Sequence, residues 1–205
     1  VDLSLQVLID HERVPAAEVG RWLQSVARGG VTGVQLREKE GSSRESYAYG
    51  ERVAYVAREL GLWFSVNDRL DLALALEADL VHLGPDDLPP EAARRIAPKL
   101  GLGLSARNLD ELAWAQSFDP LYVGYGPVWP TPSKADAAPA VGLVELAEAV
   151  RRSACPIVAI GGIGQDNAAS AWAAGVAGLA VISAVSEARD PGRAARGLIL
   201  SRQSA

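Results

Sequence analysis

Short apolar, β-branched runs recur along the whole chain, and each is followed by a stretch in which apolar residues return every three or four positions. The runs predict strands over residues 3–9, 33–37, 63–66, 80–83, 102–106, 122–125, 157–160 and 179–183. Between them lie helical faces such as Val19, Trp22, Leu23 and Val26, then Tyr49, Val53, Val56 and Leu60, and later Leu143, Leu146, Ala147 and Val150. Asn108 with Glu111 reads as a capping pair, and Pro89-Pro90-Glu91 suits a first helical turn. Eight such units in 205 residues predict an α/β protein, a single (β/α)8 barrel domain over residues 1–205. An open doubly wound sheet shows the same alternation. Its nucleotide-binding form needs a Gly-x-Gly-x-x-Gly after the first strand, where this chain has Leu8-Ile9-Asp10-His11.

Barrels of this kind do their chemistry at the carboxyl ends of the strands, so polar residues there carry the most information. In the second strand, alternation sets Val34 and Leu36 on one face and Gln35, Arg37 and Lys39 on the other. If the apolar face meets the helices, two positive charges enter the barrel mouth and call for an anion. The alternative is that Arg37 and Glu38 form a solvated surface pair. After the third strand comes Asn67-Asp68, and after the fourth Gly84-Pro85-Asp86-Asp87. Two acidic loops on neighbouring strands can share magnesium between carboxylate oxygens, although Asp68 and Asp87 each also stand where a helix N-cap belongs.

The segment that follows the sixth strand, from Gly126 to Asp136, brings Thr131, Ser133 and Lys134 close together, the groups an oxyanion needs; a proline-stiffened surface turn would read the same way. Gly161-Gly162 closes the seventh strand and Ile182-Ser183 the eighth, where barrels commonly build a phosphate site. His82, alone inside the fourth strand, reads as a hydrogen-bonded core residue. Trp22, Trp63, Trp114 and Trp172 read as packing, whereas Trp129 could lie against an aromatic substrate ring.

Charge and composition narrow the partners. The net charge is -5 and the longest basic clusters are pairs such as Arg94-Arg95 and Arg151-Arg152, so no stripe would track a nucleic-acid backbone. Cys155 is the single cysteine, which excludes an intrachain disulfide and suits a reducing cytoplasm. Asp2, Asp10, His11, Glu12 and Arg13 fall where a signal peptide would be apolar, and no apolar run approaches the roughly 20 residues of a spanning helix. Small molecules are the expected partners, with neither nucleic acid nor membrane. Barrels of this size often associate, so a homo-oligomer stays open.

Taken in order, Gly30-Val31-Thr32-Gly33-Val34-Gln35-Leu36-Arg37-Glu38-Lys39, Val66-Asn67-Asp68-Arg69, Val81-His82-Leu83-Gly84 with Asp87, Gly126-Pro127-Val128-Trp129-Pro130-Thr131-Pro132-Ser133-Lys134 and Ile160-Gly161-Gly162-Ile163 resemble the thiamine phosphate synthase family over essentially the whole chain. The resemblance implies that a pyrimidine diphosphate is bound by Gln35, Leu36, Arg37, Glu38 and Lys39, by Asn67 and by Ser105, with magnesium on Asp68 and Asp87. It also implies a thiazole phosphate held by Thr131, Pro132 and Ser133, by Gly162 and by Ile182 and Ser183, with Lys134 reaching the diphosphate. The implied reaction is dissociative: pyrophosphate leaves the pyrimidine methylene and the thiazole nitrogen captures the cation, while Lys39, Lys134 and Arg37 act catalytically by neutralising the leaving charge.

Three positions depart from the family pattern. Pro85 replaces a usual glutamine, Arg107 a usual histidine, and Ser133 a usual threonine whose hydroxyl it keeps. The related thiazole tautomerase relies on a histidine just after the sixth strand, where this chain has Pro127. A non-catalytic phosphate-ligand barrel also stays open because of Pro85 and Arg107. An unrelated phosphosugar isomerase or lyase would want a lysine or glutamate within a strand, and it explains fewer of these residues.

Overall fold

Eight parallel strands pair in sequence order, and β8 returns to β1, so the sheet closes into a barrel with no free edge. The computed structural model describes residues 1–131 and 139–204. Its order is β1 (Leu5–Ile9), α1 (Val19–Arg28), β2 (Gly33–Leu36), α2 (Ser43–Glu59), β3 (Trp63–Asn67), α3 (Leu70–Ala75), β4 (Leu80–Leu83), α4 (Pro90–Ile96), β5 (Gly101–Ala106) and α5 (Leu109–Gln116). It continues through β6 (Tyr122–Tyr125), α6 (Gly142–Arg152), β7 (Ile157–Ile160), α7 (Ala168–Ala173), β8 (Gly178–Val181), α8 (Ser183–Ser186) and α9 (Pro191–Leu200), and closes with a 3₁₀ turn over Ser201–Ser204.

The elements follow the expected pattern, with differences at strand ends. The first strand begins at Leu5, although Leu3 is still buried. The second ends at Leu36, yet the Arg37 amide still donates to the Ile9 carbonyl at 2.9 Å, so the ladder holds Arg37 in place. The eighth stops at Val181 instead of Ser183, because Ile182 turns away (φ -115°, ψ -93°) and Ser183 opens α8. Among helix starts, the Asn108 side chain accepts from the Glu111 amide at 2.8 Å, and Pro90 occupies the first turn of α4.

Strand alternation sorts the core into two bodies. Val34 and Leu36 join the large apolar cluster between barrel and helices, with Val19, Leu23 and Val26 of α1 and Tyr49 and Val53 of α2. Inside the barrel a smaller cluster stacks Leu3, Leu8, Trp63, Leu80, Tyr122, Val158, Ala180 and Ile182. The barrel is therefore filled at its base, as side-chain layers require, and opens only where the strands end. Trp22, Trp63 and Trp172 are buried as packing residues. Trp114 differs: it is 41% exposed on α5 and meets Phe118 edge-on at 5.0 Å. No helix among the described residues is long and apolar enough to cross a membrane.

The inner fill depends on small residues opposite large ones. A Cβ on Gly33 would stand 1.9 Å from Trp63 Cε2, and Trp63 is tied by its indole N–H to the Asp2 carbonyl at 2.6 Å, so it cannot step aside freely. Gly33→Ala should therefore destabilise the protein by about 2–3 kcal/mol through overpacking. Urea unfolding checks this: the midpoint should fall with an unchanged slope, and an unaltered midpoint would mean that the barrel base is not packed as described.

Candidate active site

At the carboxyl end of the barrel lies a cavity of about 600 Å³, reached by loops that follow all but the first strand. Alternation on β2 delivers the first two cations: with Val34 and Leu36 turned to the helices, Arg37 and Lys39 line the cavity. Glu38, between them, points away. Its carboxylate accepts from the His11 amide at 2.7 Å and meets His11 Nδ1 at 2.5 Å, so it ties the loop after β1 to the end of β2. The alternative of a solvated Arg37–Glu38 pair does not describe this geometry.

Beside the cations, on the neighbouring strand, β3 ends at Asn67 and the chain turns sharply at Asp68, which adopts φ 65° while its amide donates to the His82 carbonyl at 2.8 Å. A non-glycine residue in the left-handed region carries a conformational cost, here associated with a carboxylate facing the mouth. From the loop after β4, Asp87 accepts from the Gly84 amide at 2.6 Å and comes within hydrogen-bonding reach of Asp68. Neither carboxylate caps a helix: α3 and α4 are preceded by Arg69 and Pro89, with no side-chain cap at either. The capping alternative is thus removed for both residues. Burial, followed by the neighbouring Asp87 carboxyl, pushes the Asp68 carboxyl up to about 6 against the opposing pull of Lys39, whose Nζ lies 3.5 Å from Asp68 Oδ2.

Two carboxylates set side by side with no helix to cap form a hard-oxygen donor pair. Among the described residues no group of three or more histidine, cysteine, aspartate or glutamate side chains could hold a metal alone. That set fits magnesium, which accepts one or two carboxylates and completes its octahedron with water and phosphate oxygens.

The far wall is built from the last three strands. Gly161 (φ 94°) and Gly162 (φ 66°) follow β7 in the left-handed region, and a Cβ on Gly162 would press to 2.6 Å from Trp129 Cβ and 2.8 Å from the Pro130 carbonyl. Only glycine lets the chain pass there. Asn167, a residue the sequence reading did not single out, clamps this turn: its Oδ1 accepts from the Gly164 amide at 2.8 Å and its Nδ2 donates to the Gly162 carbonyl at 2.9 Å. Its one sequence signal is an asparagine ahead of a helix, shortly after Gly161-Gly162. Ile182 and Ser183, at the start of α8, and Thr131 complete this side.

Of the residues singled out from sequence, Arg37, Lys39, Asn67, Asp68, Asp87, Ser105, Thr131, Gly162, Ile182 and Ser183 share the cavity. Gln35, Leu36 and Glu38 do not line it. Gln35 is buried lower in the barrel against Gln6 and Tyr122, Leu36 packs outward, and Glu38 is taken by His11. Trp129 packs on the apolar cluster and does not line the cavity. Pro132, Ser133 and Lys134 lie outside the described residues. Pro85 and Arg107 both line the mouth, with Arg107 Nε 3.2 Å from the Glu111 carboxylate. His82 is buried, hydrogen-bonded on both ring nitrogens, and directly beneath Ser105.

A closed parallel barrel with cations, an acid pair and a glycine turn around one mouth defines an anion-binding (β/α)8 enzyme class. The comparisons specify it further. Residues 5–185 match the family model described as thiamine monophosphate synthase. A thiamine-phosphate synthase of Desulfitobacterium hafniense (strain Y51) is 44% identical over 200 residues, covering 97% of this chain and 97% of that protein. One of Archaeoglobus fulgidus is 44% identical over 187 residues, covering 89% and 88%. The solved thiamine phosphate pyrophosphorylase from Pyrococcus furiosus superposes with a TM-score of 0.90 at 40% identity, covering 99% of this chain and 96% of that one. This chain belongs to the thiamine monophosphate synthase family.

The acid pair makes a stability prediction. Because the Asp68 carboxyl titrates at about 6 instead of the ordinary 3.8, its protonated form is favoured by folding, and that contribution is full below pH 3.8 and lost as pH rises through about 6. Metal-free wild type should therefore lose melting temperature relative to Asp68→Asn as pH rises across that window. Calorimetric melts of both proteins in chelator check it; parallel curves would sink the account.

Proposed function

We propose that this chain is a cytoplasmic thiamine-phosphate synthase that joins 4-amino-2-methyl-5-hydroxymethylpyrimidine diphosphate to hydroxyethylthiazole phosphate, giving thiamine phosphate and pyrophosphate. The observation that carries the reading is the meeting of Arg37 and Lys39 with the Asp68–Asp87 pair at one barrel mouth, opposite a glycine turn. A diphosphate that brings its own magnesium satisfies both halves of that arrangement, whereas a simple monophosphate would leave the carboxylates unanswered.

In this reading the pyrimidine methylene carbon loses its bond to the diphosphate oxygen, and both electrons go with the leaving group. The thiazole nitrogen then gives its lone pair to the same carbon, and no protein nucleophile or base is consumed. Arg37 and Lys39 face the oxygens on which negative charge grows, and fixed cations there lower the barrier because they are already oriented when the bond breaks. Lys134 would join them from the segment after β6. Asp68 and Asp87 would hold magnesium, which when bound neutralises diphosphate charge and makes it a better leaving group. Gly162, with its turn clamped by Asn167, and Ser183 at the start of α8 present backbone and hydroxyl donors for the thiazole phosphate. Holding the two rings in line at the mouth supplies the orientation that two free solutes lack. Pro127 lines the cavity where the tautomerase relative would need an acid–base histidine, so proton transfer within the thiazole is not favoured.

The test is direct. Purified protein incubated with both substrates and magnesium should form thiamine phosphate, read as fluorescent thiochrome after oxidation, and a chelator should abolish it. Lys39→Ala and Lys134→Ala should each lower kcat by about a hundredfold or more, with thiazole phosphate binding nearly unchanged. Equal losses in rate and thiazole phosphate affinity would remove the leaving-group role, and absence of product from wild type would remove the synthase reading.

A further inference from the structure

Beneath Ser105, the one cavity residue contributed by β5 itself, a line of polar side chains runs down into the barrel. Ser105 Oγ lies 2.8 Å from His82 Nε2, and His82 Nδ1 lies 2.9 Å from Tyr122 Oη. The same phenol oxygen is 3.4 Å from Gln35 Nε2 and 3.5 Å from Gln6 Oε1. Gln6, Gln35, Tyr122 and His82 are all buried. Space for the imidazole is cut by two glycines: a Cβ on Gly103 would stand 2.8 Å from His82 Nδ1, and one on Gly124 3.2 Å from His82 Cε1. The ring also stacks on Tyr122, with centroids 5.4 Å apart. A histidine this tightly seated is held in one ring orientation.

Proton counting gives the line a direction. An amide nitrogen can only donate, so Gln35 Nε2 gives a hydrogen bond to Tyr122 Oη. The phenol has one proton of its own. At 2.9 Å the imidazole Nδ1 is a good acceptor for it, while Gln6 Oε1 at 3.5 Å is at the limit of a hydrogen bond. With the phenol proton given to this closer acceptor, Nε2 carries the N–H, and that N–H donates to Ser105 Oγ. The serine proton is left for the cavity. The reverse order would need the 3.5 Å contact to carry the phenol proton.

We propose that His82, held by Tyr122 in its Nε2–H tautomer, is a positioning residue that commits the Ser105 hydroxyl to donating, so that this point of the cavity recognises a hydrogen-bond acceptor. The acceptor is a phosphoryl oxygen or an imine-type ring nitrogen; an amino group is rejected there because it would face another donor. The substrate side of this inference rests on the synthase reading, whereas the proton order does not.

The chain has two histidines, so ¹⁵N-imidazole NMR of the intact protein resolves the matter, with His11→Asn assigning the signals. His82 is expected to show a pyridine-type Nδ1 and a pyrrole-type Nε2. An Nδ1–H tautomer or an imidazolium in wild type overturns the proposal, whatever the protein catalyses. Binding then tests the consequence. Tyr122→Phe and Ser105→Ala should each weaken the pyrimidine diphosphate by about three- to tenfold, the range expected for one lost hydrogen bond, and leave thiazole phosphate affinity unchanged. The double variant should bind no worse than Ser105→Ala alone, since Tyr122 acts only through the serine. Additive losses, or equal losses for both ligands, would reduce Tyr122 and His82 to packing and overturn the inference. Inorganic pyrophosphate with magnesium separates the two acceptors: weakened by Ser105→Ala if the partner is a phosphoryl oxygen, unaffected if it is the ring nitrogen. Should wild type bind neither substrate, the synthase reading fails and the NMR result alone decides the proton order.

Discussion

Closing eight parallel strands with every helix outside leaves an inward-facing side chain two choices: to be packed or to reach the mouth. The apolar inner layers fill the base, so charged inward residues are found only where the strands run out. Everything distinctive about this protein follows from that crowding. Arg37 and Lys39 arrive from one strand, Asp68 and Asp87 from the next two, and the Asp68 carboxyl is held at about 6 by burial and by its neighbour. Such an arrangement costs folding energy, and in the proposed function a metal-bound diphosphate would answer both signs.

The two sides of the mouth are built by different means. The side proposed to hold the diphosphate relies on side-chain charge from β2 and from the turns after β3 and β4. The opposite side relies on backbone: Gly161 and Gly162 pass under Pro127 and Trp129 with no room for a Cβ, and Asn167 holds the turn by both ends of its amide. In the proposed function, charged side chains would suit a leaving group whose charge changes during reaction, and backbone amides a phosphate that only has to be held. Between the two sides, Ser105 stands on a buried polar line that gives its hydroxyl a direction, so even the neutral contacts of the site are oriented from below.

Two of the three departures from the family pattern, Pro85 and Arg107, find places at the rim. Arg107 lies at the rim with its guanidinium on Glu111, which accounts for a cation there without an unpaired charge. Pro85 lines the same rim, between Gly84 and Asp86, and nothing in the structure explains why proline stands there.

Period-2 alternation along the strands and period-3.6 faces along the helices were enough to read eight units and their order from the chain, because each element's burial repeats in its own sequence. The same alternation placed Arg37 and Lys39 in the mouth and Val34 and Leu36 against the helices. It could not tell how deep an inward residue lies, since depth depends on the stagger of the strands; Gln35 and Arg37 share a face, yet one meets Tyr122 in the interior and the other the cavity. Nor could it tell a helix cap from a site carboxylate at Asp68 and Asp87, because both readings want an acid after a strand, and only the turn at Asp68 and the uncapped starts of α3 and α4 separate them. Glu38 escaped for a similar reason: His11, the group that claims it, is 27 residues away in the chain. What the sequence determined was the fold, its order and the kind of charge at the mouth; which residues meet there, and which way their protons point, was decided by barrel closure, which sets neighbours that no local pattern encodes.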